Sequence, residues 1–161
     1  MEFSTTITNK VKKLIALASK NKLMISTAES CTGGLVAAAI TSVSGSSEVF
    51  SGSFITYHNN AKQKFLGVKK SLLDKHGAVS GSVAKAMAEG ALANSRCDLA
   101  VAITGIAGPG GGTKEKPVGL VYIAAAKSKR TVVKAYNFKG NRAKVRAQAV
   151  DKSIDLLINI I

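Results

Sequence analysis

The 161-residue sequence predicts an α/β fold, a three-layer α/β/α sandwich around a mixed, mostly parallel sheet of about five strands. Three observations carry that expectation. Short apolar runs alternate with amphipathic stretches of helical period, as crossover-connected strands require. One run, Asp98–Thr104 (DLAVAIT), is continuously apolar and bounded by turn residues, so it predicts a central strand covered on both faces. Two later runs, VGLVYIAAAK and TVVKAYNF, are separated by little more than Ser128-Lys129, which predicts an antiparallel hairpin.

In chain order, residues 5–20 place Val11, Leu14, Ile15, Leu17 and Ala18 at helical spacing, with Asn21 as a stop. Leu23–Ala28 predicts the first strand, and STAESCTGG (26–34) the polar turn leaving it. LVAAAITSV after Gly34 is apolar nearly all round and predicts a buried helix. VFSGSFITYHNN predicts a strand with a bulge near Gly52. AKQKFLGV and KKSLLDKH predict short helices, the second closed by Gly77. Val79–Ser82 reads as a cap for a longer helix through Arg96. Asn141–Ile161 predicts a terminal helix with Val145, Ala149, Ile154, Leu157 and Ile158 inward. No repeat or linker divides the chain, so residues 1–161 are expected to form one domain.

A hydrophobic fraction of 46% supports a core, but aromatics are only 5% and Trp is absent, so small aliphatic residues must fill it. No apolar run approaches the roughly 20 residues of a membrane span, and MEFSTTITNKVKK lacks a secretory h-region; a soluble, cytoplasmic protein is expected. Cys31, Cys97, His58 and His76 have no zinc-ligand spacing and form no CxxC, so neither metal nor disulfide chemistry is indicated. The net charge is +14, which raises nucleic acid as a partner. The basic residues are nevertheless scattered, 19 of the 23 are lysines, and no aromatics interleave with them. Such a surface equally steers an anionic small substrate.

Four small-residue loops fall at predicted strand ends: Ala28–Gly34, Gly45–Ser47, Tyr57–Lys62 and Thr104–Gly112. Several are expected to converge on one sheet edge, where open α/β sheets bind ligands. The first loop carries Glu29, Ser30, Cys31 and Thr32, and also reads as a simple helix cap. The fourth, rich in glycine, resembles a phosphate cradle but lacks the GK[ST] of a P-loop, and reads equally as a connector. A serine nucleophile needs a base. His58 is one candidate, though it also reads as a solvent-facing side chain. A lysine is the other, and its pKa must fall from about 10.4 by roughly 3 units, equivalent to about 4 kcal/mol.

In order along the chain, TAESCTGG (27–34), GSS (45–47), TYHNNAK (56–62), LGV (66–68), HGAVS (76–80), TGIAGPGGGTKEKPVG (104–119) and GNRAKVR (140–146) together resemble the CinA C-terminal domain family. Its stand-alone members are nicotinamide-nucleotide amidases, and the chain resembles that form. The resemblance implies hydrolysis of nicotinamide mononucleotide to nicotinate mononucleotide and ammonia, with no metal or cofactor. It implies Ser30 as nucleophile, Lys62 of N-x-A-K as its base and Tyr57 assisting beside the dyad. It also implies Ser47 and Thr104 as substrate or oxyanion contacts and Arg142 as a phosphate anchor. Backbone N–H groups around Thr32, Gly33 and Gly34, at a helix start, are expected to serve a developing oxyanion. Cys31 stays open as an alternative nucleophile. The chain departs from the family pattern at Asn60, Asn141 and Gly81-Ser82, where acidic residues are common. A homo-oligomer is expected; a non-catalytic or nucleic-acid-associated role is the alternative function.

Overall fold

The computed structural model describes residues 2–161. Five strands, β1 (Ile25–Glu29), β2 (Phe50–Ile55), β3 (Leu99–Gly105), β4 (Leu120–Lys127) and β5 (Arg130–Asn137), form one sheet in the order β2-β1-β3-β4-β5. β1 is parallel to both β2 and β3, whereas β4 is antiparallel to β3 and to β5. Four of the five strands therefore point one way, which makes the sheet mixed and mostly parallel as predicted. Lys127 pairs Arg130 across the hairpin, and Ser128 takes the positive φ, 52°, that the tight turn demands.

Six helices cover the two faces: α1 (Thr5–Lys20), α2 (Leu35–Thr41), α3 (Asn59–Leu66), α4 (Lys70–His76), α5 (Gly81–Ser95) and α6 (Arg142–Ile160). The side-chain alternation of β3 divides the core. Leu99, Val101 and Ile103 face α1, α2 and α6, while Ala100 and Ala102 face α5. On that second face Ala84, Ala88 and Ala91 of α5 meet Ala124 and Ala126 of β4. Alanine on alanine brings helix and sheet close, which is how a chain poor in aromatics reaches a close-packed interior. Gly90 continues this on the outer side of α5. A Cβ there would stand 2.0 Å from the Leu66 carbonyl oxygen at the end of α3.

Local chemistry sets the ends of the elements. Ser4, Ser80 and Asn141 accept the N–H of Ile7, Val83 and Lys144 and so cap α1, α5 and α6. β1 starts two residues later than the pattern predicts, because Met24 spends its N–H on the Asp98 carboxylate at 2.8 Å. α2 ends at Thr41, two residues early, where the Thr41 and Ser42 hydroxyls turn back on helix carbonyls. The predicted bulge is real: Ile25 pairs Phe50 and Ser26 pairs Gly52, leaving Ser51 as the extra residue. No helix among the described residues is long and apolar enough to cross a membrane.

The crossovers fix where a site can form. β1 leaves to α2 on one face, and β2 leaves to α3 on the other. A crevice therefore opens at the carboxyl ends of these neighbouring parallel strands. The third wall comes from the carboxyl end of β3, since Glu29 pairs Ile103 and the Ser30 N–H donates to the Ile103 carbonyl at 3.0 Å.

Candidate active site

The crevice is a cleft of about 290 Å³ lined by Ser30, Lys62, Tyr57, Thr104, Arg142 and the glycine-rich loop, among others. Its charged lining consists of Lys62 and Arg142, with no carboxylate, so it favours an anionic ligand.

Ser30 stands just past β1. Lys62, on the first turns of α3, has 1% of its surface exposed. Its Nζ lies 3.1 Å from Ser30 Oγ, 2.7 Å from the Thr56 carbonyl oxygen and 3.4 Å from that of Tyr57. The two carbonyls only accept, so a neutral lysine gives them its two N–H groups and turns its lone pair to the serine. A charged lysine donates to all three. The site thus accommodates both protonation states, and Ser30 Oγ changes from donor to acceptor between them. Burial lowers the Lys62 pKa to about 8, with a small opposing effect from Cys31. Roughly one tenth of the lysine is then neutral at pH 7.

Cys31 reaches the cleft too, but burial pushes its thiol up to about 11. A protonated thiol is a poor nucleophile, so the chemistry favours Ser30 over the cysteine alternative. His58 is not the base: it is exposed, and its Nδ1 accepts the Asn60 N–H at 3.3 Å, capping α3. Among the described residues no three His, Cys, Asp or Glu side chains gather to hold a metal ion.

Tyr57 meets Lys62 through its backbone. Its carbonyl faces Lys62, while the residue is 60% exposed and its hydroxyl accepts from Arg142 Nη2 at 2.9 Å. Arg142 Nη1 donates to the Gly108 carbonyl at 2.9 Å. One guanidinium therefore ties the rim tyrosine to the glycine-rich loop and keeps further N–H groups for a ligand. That loop is an anchored wall: Gly119 N–H bonds the Ile106 carbonyl, and Lys116 Nζ bonds the His76 carbonyl at 2.6 Å.

Three expected site residues, Ser47, Gly33 and Gly34, are corrected, whereas Thr104 does line the cleft. Ser47 does not join the site. It sits in a 3-10 turn (Ser46–Glu48) that precedes β2, hence at the amino edge of the sheet, roughly 20 Å along the strand from Ser30. The loop Gly45–Ser47 likewise stays away, and only the other three converge. Gly33 and Gly34 are not free oxyanion donors. The Gly33 N–H bonds the Ser30 carbonyl at 3.0 Å and the Gly34 N–H bonds Glu29 at 2.9 Å. Thr104 lines the cleft with its hydroxyl directed to the Ala78 carbonyl at 2.8 Å. It braces the turn before α5 and has no proton left for an oxyanion.

Two residues escaped the sequence reasoning. Glu29, wholly buried, accepts from Gly34, Val36 and Ala37 N–H groups and from the Thr27 hydroxyl, so it caps α2 from below. Arg146 donates from Nε to the Cys31 carbonyl at 3.1 Å and from Nη2 to the Thr32 carbonyl at 2.8 Å. The signal for Arg146 was its place one helical turn after Arg142 in GNRAKVR. Glu29 had no signal beyond adjacency.

The comparisons with known proteins agree with this architecture. The family model described as CinA C-terminal domain matches residues 7–161. A CinA-like protein of Endomicrobium trichonymphae is 52% identical over 141 residues, 88% of this chain and 33% of its own length. One from Syntrophomonas wolfei is 54% identical over 133 residues, 83% and 32%. The chain spans about a third of the length of the curated relatives it matches. Among solved structures, the competence/damage inducible protein CihA of Agrobacterium tumefaciens superposes with a TM-score of 0.97 at 42% identity, covering 99% of this chain and 98% of that one. A CinA superfamily protein of Escherichia coli gives 0.93 at 32%, covering 100% and 95%. With its family model matched over nearly all of its length and its fold shared with these structures, the chain belongs to the CinA C-terminal domain family.

Proposed function

We propose that the protein is an amidohydrolase that converts nicotinamide mononucleotide to nicotinate mononucleotide and ammonia through a Ser30 acyl-enzyme. The observation that carries the reaction class is the 3.1 Å approach of a buried lysine, its pKa near 8, to the hydroxyl of Ser30. The substrate rests on the motif resemblance, and a cationic cleft suits its phosphate.

In the first step Ser30 Oγ attacks the carboxamide carbon while its proton passes to Lys62 Nζ, and the carbonyl π pair moves onto oxygen. Collapse of the tetrahedral species breaks the C–N bond, and Lys62 returns the proton to the departing nitrogen, which leaves as ammonia. Water then gives a proton to Lys62 and attacks the ester carbon. Ser30 takes that proton back as the carboxylic acid leaves, and the acid then ionises to nicotinate by giving its proton to solvent. Arg142 at the rim faces the anionic end of the substrate.

Ammonia release from nicotinamide mononucleotide by the purified protein tests this directly. Activity is expected for the wild type, with loss of at least about 10³-fold in Ser30→Ala and retention in Cys31→Ala. No release by the wild type, where a known amidase works, would remove the proposal. Loss in Cys31→Ala with retention in Ser30→Ala would reassign the nucleophile.

A further inference from the structure

Lys62 is a buried amine with no anion beside it. Its helix, α3, packs on α5 and on β2. The end of β2 offers the Thr56 and Tyr57 carbonyls, and the turn after β1 offers Ser30 and Cys31, whose thiol burial keeps protonated. Arg142 of α6 stands at the cleft mouth beside Tyr57. On α3 itself, His58 caps the helix and Lys64 lies over the Phe65 ring, and neither lines the cleft. Glu29, though next to Ser30, turns both carboxylate oxygens to the N–H groups that open α2. On α5, Lys85 pairs with Glu89, which accepts from Thr131 of β5. Among the described residues the cleft lining therefore holds two cationic side chains and no carboxylate.

The carboxamide of a nicotinamide nucleotide hangs directly from a pyridinium ring, and the N-glycosidic bond makes the charge of that ring permanent. Attack brings the carboxamide carbon to about 3 Å from the nucleophilic oxygen. Ser30 Oγ is itself 3.1 Å from Lys62 Nζ. Bond lengths then hold the near edge of the ring within roughly 8 Å of Nζ, however the ring is turned. At that range, in a partly buried site, two positive charges repel strongly enough to move a proton equilibrium by about one pH unit.

We propose that the positive ring of the substrate expels the proton from Lys62 as it binds, so that the substrate itself prepares the neutral amine that activates Ser30. This rests on the proposed amidase reaction and deepens it, because it names the substrate class as carboxamides on a permanently cationic ring. A neutral aromatic amide would leave about nine-tenths of Lys62 protonated at pH 7. The Thr56 and Tyr57 carbonyls hold the two N–H groups of the neutral amine, and the expelled proton goes to solvent.

The test uses Ser30→Ala, which binds without hydrolysing, and two ligands of one shape. These are nicotinamide mononucleotide and the benzamide C-nucleotide, in which carbon replaces the charged ring nitrogen. Both carry the same ribose phosphate, so its titration cancels between them. Calorimetry at pH 7 in buffers of different ionisation enthalpy should show the pyridinium ligand releasing about half a proton more than the neutral one. Its affinity should rise roughly fivefold from pH 7 to pH 9 relative to the neutral ligand. The NMR shift of the Lys62 Cε carbon, assigned by its absence in Lys62→Met, should titrate about one unit lower with the pyridinium ligand and keep its free midpoint with the other. In Ser30→Ala/Lys62→Met the difference in proton release should vanish.

Equal proton release by the two ligands, or a Lys62 midpoint that neither moves, would overturn the inference, while ammonia release by the wild type would keep the amidase reading. A difference that persists without Lys62 would also overturn it, by placing the proton on another group. Wild-type protein that releases no ammonia, although the pyridinium ligand expels the Lys62 proton, would refute the amidase reading and leave the charge effect standing.

Discussion

The carboxylate of Glu29 accepts the N–H of Gly34 at 2.9 Å, so the residue before Ser30 caps the helix that follows it. Val36 and Ala37 donate to the same buried group at 3.1 and 2.8 Å. Chain reversal between β1 and α2 is thereby closed on itself, and Ser30 is held at the apex.

Glu29→Ala should therefore destabilise the protein by about 2–4 kcal/mol, because it strands three helix N–H groups and leaves a void. Glu29→Gln, which keeps one acceptor oxygen, should cost about half of that. Urea midpoints measure both. Activity should fall further than stability in both variants, since the turn that aims Ser30 loosens; activity that simply follows the folded fraction would contradict this.

Lys62 sets the pH dependence. Its pKa is lowered to about 8 by burial, so kcat/KM should rise from pH 6 and level off above an apparent pKa near 8. Stability follows with a definite sign. Between pH 8 and the ordinary lysine value of 10.5 the unfolded chain holds a proton that the folded chain has lost, so this residue makes stability rise with pH across that window. Lys62→Met removes the effect. Its urea midpoint relative to wild type should be most favourable near neutrality and lose that advantage toward pH 10. An unchanged difference from pH 7 to 10 would sink the assignment.

Much of this site was legible in the sequence because its chemistry is local. Ser30, Lys62 and Arg142 sit in distinctive motifs, and the strand pattern led to the expectation that several of the four small-residue loops meet at one edge, where three do. Ser47 was misplaced for a directional reason. A loop before a parallel strand lies at the amino edge, and a polar turn by itself does not disclose which edge it borders. The Gly33 and Gly34 donors were misjudged because a neighbouring carboxylate folds back to take one of them, a tertiary fact with no periodic signature. Tyr57 lies beside Lys62 through its carbonyl rather than its ring, which a sequence motif does not disclose. The alanine-lined interface of α5 was foreshadowed by composition, whereas the contact of Gly90 with Leu66 depends on where α3 ends.

Arg142 links the Tyr57 hydroxyl to the Gly108 carbonyl, each at 2.9 Å, and stands at the cleft mouth. Arg142→Ala should raise KM for the mononucleotide by roughly 10–100-fold, the weight of a lost charge-assisted pair, with a smaller change in kcat. The corresponding nucleoside, lacking phosphate, should be nearly indifferent to the substitution. Equal losses for both substrates would show that Arg142 shapes the rim instead of binding the anion.

Gly90 couples the core to Lys62. It lies in the middle of α5, where glycine costs helix stability by about 1 kcal/mol relative to alanine. Its absent side chain makes room for the Leu66 carbonyl oxygen, which an added Cβ would meet at 2.0 Å. Backbone, not a flexible side chain, stands in the way, so α3 must move. Lys62 lies one turn before Leu66 on that helix, and its Nζ depends on the Ser30 and Thr56 distances. Gly90→Ala should therefore destabilise the fold by about 2 kcal/mol despite the better helix propensity. It should also lower kcat by more than the folded fraction explains and move the pH limb away from 8. Melting curves together with a kcat pH profile check this. A variant as stable as wild type, with an unshifted profile, would mean that the close approach of α3 and α5 does not govern the position of Lys62.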